Sequence, residues 1–154
     1  MEIHTLNKRS NIEQSKELSQ KYAAFEKLIT ELNKREIPPV IVNLINSHID
    51  HINSFSGSNR DLLRQLRKAE TEIVKLIETE LKLVTKNHYR KQWLALGMAA
   101  FGLPLGALWG LITGNMAFLA IGLPIGMAIG LAFGAAKDKK ACQDGKQLDV
   151  DMDA

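Results

Sequence analysis

The chain has 154 residues, of which 45% are hydrophobic and 24% charged, values that are ordinary for a small globular protein. The average hides a sharp division, because the 45 residues from Gln92 to Ala136 contain no Asp, Glu, Lys or Arg. The single cysteine, Cys142, excludes a disulfide framework within the chain, and the net charge of +3 is not concentrated in basic clusters with aromatic residues. These totals argue against a disulfide-rich domain and against a nucleic-acid partner, and the N-terminal residues contain no apolar run that would predict a signal peptide.

The N-terminal part of the chain predicts amphipathic helices. Ser10 and Glu13 form a capping box, and apolar residues then recur every three or four positions, which is typical of one helix face. The Pro38-Pro39 pair ends that helix, and no residue that breaks a helix separates the third helix from the apolar block. The predicted boundaries are an N-terminal extension at 1–9 and a cytoplasmic helical domain at 10–92, with helices at about 11–35, 39–55 and 59–92. Whether their apolar faces pack within one chain, as a bundle, or between chains, as a coiled coil, stays open.

The apolar block predicts a membrane hairpin. Its 44 residues from Trp93 to Ala136 are enough for two helices of about 20 residues, the length that spans about 30 Å of hydrocarbon. Gly114 suits the end of one helix and Asn115 the start of the next. The predicted fold class is therefore all-α, a cytoplasmic helical bundle or coiled coil with an antiparallel two-helix transmembrane hairpin. Its boundaries are helix 93–113, turn 114–115, helix 116–136 and a charged, disordered tail at 137–154.

Basic residues at both ends of the block predict its orientation. Lysines and arginines flank both spans while the turn is neutral, so both termini are expected in the cytoplasm, with a bacterial inner membrane as the favoured location. Aromatic residues near the ends suit the interface between lipid and water. The predicted interface residues are Lys86, Tyr89, Arg90, Lys91, Trp93, Trp109, Lys137, Lys139 and Lys140.

Glycines recur every four residues on both predicted spans. The two series repeat at a period of 20, and removing Cβ atoms along one stripe lets helix backbones approach closely in lipid. The predicted packing residues are Gly102, Gly106, Gly110 and Gly114 on the first span, and Gly122, Gly126, Gly130 and Gly134 on the second. Folding at the turn places Gly106 level with Gly122 and Gly102 level with Gly126, so the stripes can face each other within one hairpin.

Two further features of the spans bear on assembly. Ala128 and Ala132 continue to Ala136 as a second line of small residues, roughly opposite the glycines, through which one hairpin could meet another. Pro104 and Pro124 lie about ten residues from the turn on either side, and each is expected to bend its helix. Such bends suit gating, or simply let two helices wrap around each other.

These two spans resemble the glycine-zipper class of small two-span membrane proteins. The resemblance rests on the GxxxGxxxG series and covers only about residues 93–136. It implies helices that pack into homo-oligomers in bacterial or organellar membranes, with the glycines as packing residues, and it implies a packing mode rather than one activity.

The remaining polar patterns do not predict chemistry. His48 and His51 are three apart but lack further zinc ligands, and the alternating aspartates from Asp149 lack the glycine and glutamate of a calcium loop. Cys142 lies six residues beyond the second span, where a free thiol is expected rather than a lipid anchor. We expect no enzymatic activity, no cofactor and no metal.

The sequence favours a structural role. The leading hypothesis is a membrane protein that self-associates through its glycine helices and acts as a scaffold or sensor subunit. Its expected partners are the lipid bilayer, other copies of the chain and a cytoplasmic protein that contacts the N-terminal helices. The alternatives are an oligomeric pore or channel, lined by backbone and small residues, and a hairpin that shapes the membrane.

Overall fold

The computed structural model describes residues 2–9, 12 and 15–152, and over those residues the chain is helical with no strand. The predicted all-α class is therefore confirmed for this part of the chain. The five helices are α1 (Lys16–Asn33), α2 (Pro39–Ser54), α3 (Asn59–Leu81), α4 (His88–Thr113) and α5 (Phe118–Gln143). The predicted capping box at Ser10 and Glu13 lies outside the described residues.

The chain forms two compact units, and the second is inserted into the first. One unit contains the residues up to Lys86 together with those from Leu148 onward, and the other contains Asn87–Gln147. We call the first the helical domain and the second the hairpin. The domain boundary predicted at 92 is therefore replaced by one at 86, and the helical domain includes residues from both ends of the chain.

Local signals explain where the helices of the helical domain begin. Ser15 is the N-cap of α1, and its hydroxyl accepts a hydrogen bond from the Leu18 N–H. Proline occupies the first position of α2, where a missing N–H costs nothing. Ser58 accepts from the Asp61 N–H at the start of α3. Helix α2 lies close to its predicted bounds, whereas α1 begins at Lys16, five residues later than the predicted start at 11, and α3 ends at Leu81 rather than at 92.

The apolar faces of α1, α2 and α3 are buried within one chain. Phe25, Leu28, Ile45, Leu66 and Ile77 are each 0% exposed and belong to one hydrophobic core. The question that the sequence left open, burial within a chain or between chains, is thus answered by packing within the chain.

Both ends of the chain complete this core. Ile3 and Leu6 are buried against it near the N-terminus, and so are Leu148, Val150 and Met152 near the C-terminus. The sequence predicted a disordered tail at 137–154, and the structure differs from that prediction. Alternation explains the difference, because the three apolar residues point one way while the aspartates between them point outward.

The predicted continuous helix from 59 to 92 is interrupted between α3 and α4. Lys82 and Asn87 both adopt the left-handed conformation, with φ of 57° and 60°, and they end α3 and precede α4. Between them, Leu83 and Val84 are buried. No glycine or proline marks this break, because burial of two apolar residues imposes a backbone shape that local preference alone would not.

The hairpin consists of α4 and α5 with a short turn. Helix α4 runs as an α-helix over His88–Gly97, a π-helical turn over Met98–Gly102 and an α-helix over Leu103–Thr113. Gly114 is left-handed, with φ of 68°, and ends α4, while the Asn115 side chain accepts from the Ala117 N–H. Helix α5 thus begins at Phe118, two residues later than predicted, and continues seven residues beyond Ala136.

Candidate functional site

The two glycine series face each other inside the hairpin. A methyl group at Gly122 would lie 2.3 Å from the carbonyl oxygen of Gly102 and 2.6 Å from the nitrogen of Gly106. At Gly126 it would lie 2.5 Å from the nitrogen of Gly102, and non-bonded atoms do not approach so closely. The structure therefore brings together the four glycines that the turn was expected to pair.

The contacts continue along most of the hairpin. A methyl group at Gly130 would lie 2.1 Å from the Trp93 carbonyl oxygen, and at Gly134 it would lie 2.5 Å from the Arg90 Cα. Near the turn the contact is less close but still tight, since a methyl at Gly110 would lie 3.2 Å from the Met116 sulfur. Gly114 is exposed with no neighbour within 4 Å, so its role is to turn the chain rather than to pack.

A glycine that the sequence analysis left out completes the contact. Gly97 is buried, and a methyl group there would lie 2.3 Å from the Gly126 carbonyl oxygen. It precedes Gly102 by five residues, a spacing that would rotate it off the stripe of a regular α-helix. The π-helical turn at Met98–Gly102 takes up the additional residue, with the Leu103 N–H bonded to the Met98 carbonyl. In the sequence, the interval of five residues between Gly97 and Gly102, next to glycines that recur every four residues, was the signal that could have identified Gly97.

The two prolines lie in different local structures. Pro104 follows the π-helical turn, and Pro124 lies within α5 with α-helix on both sides. A proline ring crowds the carbonyl four residues before it, so the wide turn beside Pro104 relieves that crowding. Both rings are exposed on the outside of the hairpin.

The line of alanines lies on the outer surface of α5. Ala128, Ala132 and Ala136 are all exposed, while the glycines at 122, 126, 130 and 134 are buried against α4. The glycine face is thus used within the hairpin, and the alanine face remains available outside it.

A buried carboxylate joins the open ends of the two helices. Asp138 on α5 is 8% exposed, and its two oxygens accept hydrogen bonds of 3.0 Å from the Tyr89 and Arg90 backbone N–H groups. These N–H groups lie in the first turn of α4, where no intrahelical acceptor exists and the helix dipole favours negative charge. Because the side chain of Asn87 makes no cap hydrogen bond, Asp138 caps α4 from the other helix.

Aromatic and basic side chains gather beside this carboxylate. The rings of Trp93 and Phe133 stack with centroids 5.6 Å apart. The Lys137 ammonium lies 4.8 Å from the Trp93 ring centroid and 5.7 Å from that of Tyr89, within range of cation–π attraction. Three of the predicted interface residues therefore form one cluster at the open end of the hairpin.

The other predicted interface residues lie apart from this cluster. Lys86 belongs to the helical domain, where its ammonium lies 3.0 Å from the Asp149 carboxylate. Trp109 is 57% exposed near the turn, beside an apolar cleft of about 250 Å³ between α4 and α5. The remaining residues have exposed side chains: Arg90, Lys91, Lys139 and Lys140.

The histidines and acidic residues of the described chain do not assemble a metal site. His48 lies 3.4 Å from the Glu72 carboxylate, and His4 lies 2.8 Å from Asp50. Among the described residues there is no group of three or more side chains of the types that could hold a metal ion. Cys142 is a free thiol and is exposed.

Comparison with known proteins identifies no relative. No protein-family model matches the chain, and neither a curated protein nor a solved structure matches it. Its function must therefore be inferred from its own geometry.

Proposed function

We propose that the protein is a small integral membrane protein whose hairpin crosses the bilayer and anchors the helical domain at its cytoplasmic face as an interaction scaffold. The observation that carries the proposal is the exposure of the hairpin. Each helix is 26 residues long, and only 22% of its most apolar stretch is buried. At about 1.5 Å per residue, such helices exceed the thickness of about 30 Å of the hydrocarbon layer.

The exposed residues of the hairpin are of the kind that lipid stabilises. Leu111 and Ile112 are each 72% exposed, and Trp109, Ile121 and Phe133 are more than half exposed. A helix surface made of large exposed apolar side chains such as these is unfavourable in water. Acyl chains would cover it, and the helices satisfy their backbone groups internally, as hydrocarbon requires.

The connections to the helical domain support a common side for both ends of the hairpin. The Leu148 N–H donates to the Val84 carbonyl, and the Lys86 N–H donates to the Val150 carbonyl, both at 2.9 Å. The segments that lead into and out of the hairpin therefore run side by side. Since basic residues flank both helices, the positive-inside rule assigns this side to the cytoplasm, and a bacterial inner membrane fits that rule.

Self-association is assigned to the outer alanine face rather than to the glycines. The glycine backbones are already in contact within the hairpin, whereas Ala128 and Ala132 are exposed and small enough for close helix approach. Replacing both alanines by leucine should reduce the subunit number measured by mass in lipid nanodiscs. The matched control is Ile125→Leu, also on the exposed surface of α5, and an unchanged subunit number in the double variant would contradict this assignment.

The pore alternative gains no support from the polar side chains of the hairpin. The Thr113 hydroxyl donates to the Trp109 carbonyl at 2.7 Å, and Asn115 accepts from the Ala117 backbone. The hydroxyl and the amide oxygen are thus bonded to backbone next to the turn. If liposomes that contain the protein conduct ions, the pore would become the leading function in place of the scaffold.

The native cysteine provides a direct test of the anchor and its orientation. Cys142 is the single cysteine and is exposed near the end of α5. In bacterial cells that express the chain, a membrane-impermeant maleimide should label Cys142 in inverted vesicles and leave it unlabelled in intact spheroplasts. In a Cys142→Ser background, Asn115→Cys in the turn should give the reverse pattern.

The outcomes separate anchoring from orientation. Recovery of the folded chain from the membrane pellet by alkaline carbonate alone would overturn the membrane anchor. Labelling of Cys142 in intact spheroplasts would retain the anchor and overturn the cytoplasmic placement.

A further inference from the structure

Residues 2–9 lie without helical structure across α1 and α2 of the helical domain, and we call them the strap. Ile3 and Leu6 are 3% and 6% exposed, and they belong to the hydrophobic core. The residues between them, His4 and Thr5, are exposed. The strap thus presents its apolar residues to the helices at an interval of three.

Asparagine side chains hold the backbone on both sides of the first apolar residue. The Asn46 carbonyl oxygen accepts from the His4 N–H at 2.8 Å, and its amide donates to the Glu2 carbonyl at 3.2 Å. The Ile3 N–H between them donates to the Asn33 side chain at 3.2 Å. Asn46 is 7% exposed, so this is a buried polar group whose donor and acceptor are both used by one peptide segment.

The same arrangement recurs at the second apolar residue. The Asn53 side chain accepts from the Asn7 N–H at 2.8 Å and donates to the Thr5 carbonyl at 3.0 Å, on either side of Leu6. The Tyr22 hydroxyl donates to the Asn7 carbonyl. Burial is the main cause that raises the pKa of Tyr22, so the phenol remains a donor at neutral pH.

Arg9 lies three residues after Leu6, as Leu6 lies three after Ile3, and it too contacts the helices. The Arg9 guanidinium donates to the Ile52 carbonyl at 2.7 Å and to the Asn53 carbonyl at 3.1 Å, at the end of α2. Carbonyl groups in the last turn of a helix carry partial negative charge, which favours a guanidinium there. Arg9 therefore fixes the third point of the strap.

The two asparagine contacts repeat at matching distances on the helix and on the strap. Asn46 and Asn53 are seven residues apart, which is about 10.5 Å along a helix. Three residues of non-helical chain can cover up to about 10 Å. We call the face formed by Asn33, Asn46, Asn53 and the adjoining core the groove, and it fits a non-helical peptide with aliphatic residues three apart followed by arginine.

We propose that the groove is an exchangeable docking site and that its partner is the strap of a second copy of this chain. The occupant that the groove is seen to fit is the chain's own strap, so a second copy presents the same backbone groups and the same three side chains. A strap exchanged between two copies keeps every contact described above. Dimerisation by exchange of this identical segment therefore costs little free energy. Six residues, 10–15, connect the strap to α1.

This pairing is independent of the membrane anchor, which would only raise the local concentration of copies. It also uses a surface separate from the alanine face of the hairpin, since all of the contacts lie within the helical domain. The two modes of association can therefore be tested separately.

A disulfide across the strap tests the proposal in the full chain. The side chains of His4 and Asp50 touch at 2.8 Å and are 53% and 58% exposed, so cysteines at both positions are compatible with folding. In a Cys142→Ser background, one population carries His4→Cys and a second, of a different tagged mass, carries Asp50→Cys. The two are mixed in detergent, incubated, oxidised and separated on a non-reducing gel.

Exchange predicts a covalent heterodimer of both tags in this mixture. A mixture of His4→Cys with His51→Cys, an exposed residue next to Asp50, should give no such species. Adding Asn46→Leu and Asn53→Leu to the Asp50→Cys chain should abolish the heterodimer, whereas Asn43→Leu on the exposed side of α2 should leave it unchanged.

The double variant with His4→Cys and Asp50→Cys in one chain makes a negative result decisive. If this chain closes an intramolecular disulfide, which moves its band on the gel, then positions 4 and 50 are close enough to be crosslinked. Absence of the heterodimer in the mixture would then overturn exchange and leave the strap as a fixed part of its own chain. An equal heterodimer yield with His51→Cys would also overturn the proposal, because the crosslink would not depend on the groove.

Discussion

The helical domain and the hairpin pack by opposite means. In the helical domain, side chains such as Phe25, Leu66 and Ile73 fill the space between helices and are almost wholly removed from solvent. In the hairpin, the buried residues along α4 and the apolar part of α5 are glycines, and backbone meets backbone.

This difference fits the surroundings that the proposed function gives to each unit. In water, burying large apolar side chains is the main source of stability. In lipid that gain is nearly absent, and close contact of backbones supplies dispersion energy instead. The hairpin directs its large side chains outward, where Leu111 and Ile112 are exposed, and keeps its contact face free of side chains, as a helix pair in lipid would.

The largest effect should come from adding a side chain to the glycine contact. Gly122→Leu places atoms where the backbone of Gly102 lies, so it should destabilise the hairpin by about 3 kcal/mol or more, beyond ordinary overpacking. Both tryptophans, Trp93 and Trp109, belong to the hairpin, so their fluorescence during denaturation in detergent reports this unit alone. Ala95→Leu, at an exposed position of α4 outside both the glycine and the alanine faces, is the control, and equal destabilisation by both variants would contradict the backbone contact.

The converse change removes a side chain from the helical domain. Leu148→Ala should lower its free energy of unfolding by about 2–4 kcal/mol, because Leu148 is 0% exposed and its loss leaves a cavity. Hydrogen exchange of the amides in α1, α2 and α3 measures this effect. Asp149→Ala, at the exposed neighbour, should change exchange little, and a protected core in Leu148→Ala would show that the C-terminal segment does not contribute.

Loss of the carboxylate cap should have a smaller effect. Asp138→Ala leaves two N–H groups at the start of α4 without their acceptor, and the expected loss is about 1–2 kcal/mol. Asp144→Ala, an exposed aspartate just beyond α5, is the control. Tryptophan fluorescence during denaturation compares the stability of the two variants. Equal denaturation curves would mean that water replaces the Asp138 carboxylate as the acceptor for the two N–H groups.

The smallest effect concerns the cation–π contact. Lys137→Gln removes the ammonium near the Trp93 ring and should cost the hairpin about 0.5–1 kcal/mol, with a change in Trp93 emission. Lys139→Gln, at an exposed position of the same helix, should leave the emission unchanged. If both variants behave alike, the cation–π contact contributes nothing measurable to the stability of the hairpin.

Helical periodicity predicted the main elements well, and terminal segments poorly. The apolar spacing placed α2 and the end of α1 closely, while α1 begins five residues later than predicted, and the uncharged block with its central Gly114-Asn115 placed the hairpin turn. The burial of Leu148 and Val150 was missed because a short alternating segment among aspartates has little signal of its own. The cap from Asp138 was missed because a charged residue after a span suggests an exposed flank.

The sequence by itself determined that the chain has two kinds of helix and that glycine lies along one side of each apolar one. Those properties are local, since they depend on residue type and on spacing along a single helix. Only the tertiary structure decided which residues close the helical domain, because Ile3 and Met152 gain their burial from helices far away in the chain. It also decided that Gly97 joins the contact face, since one π-helical turn rotates that residue into register.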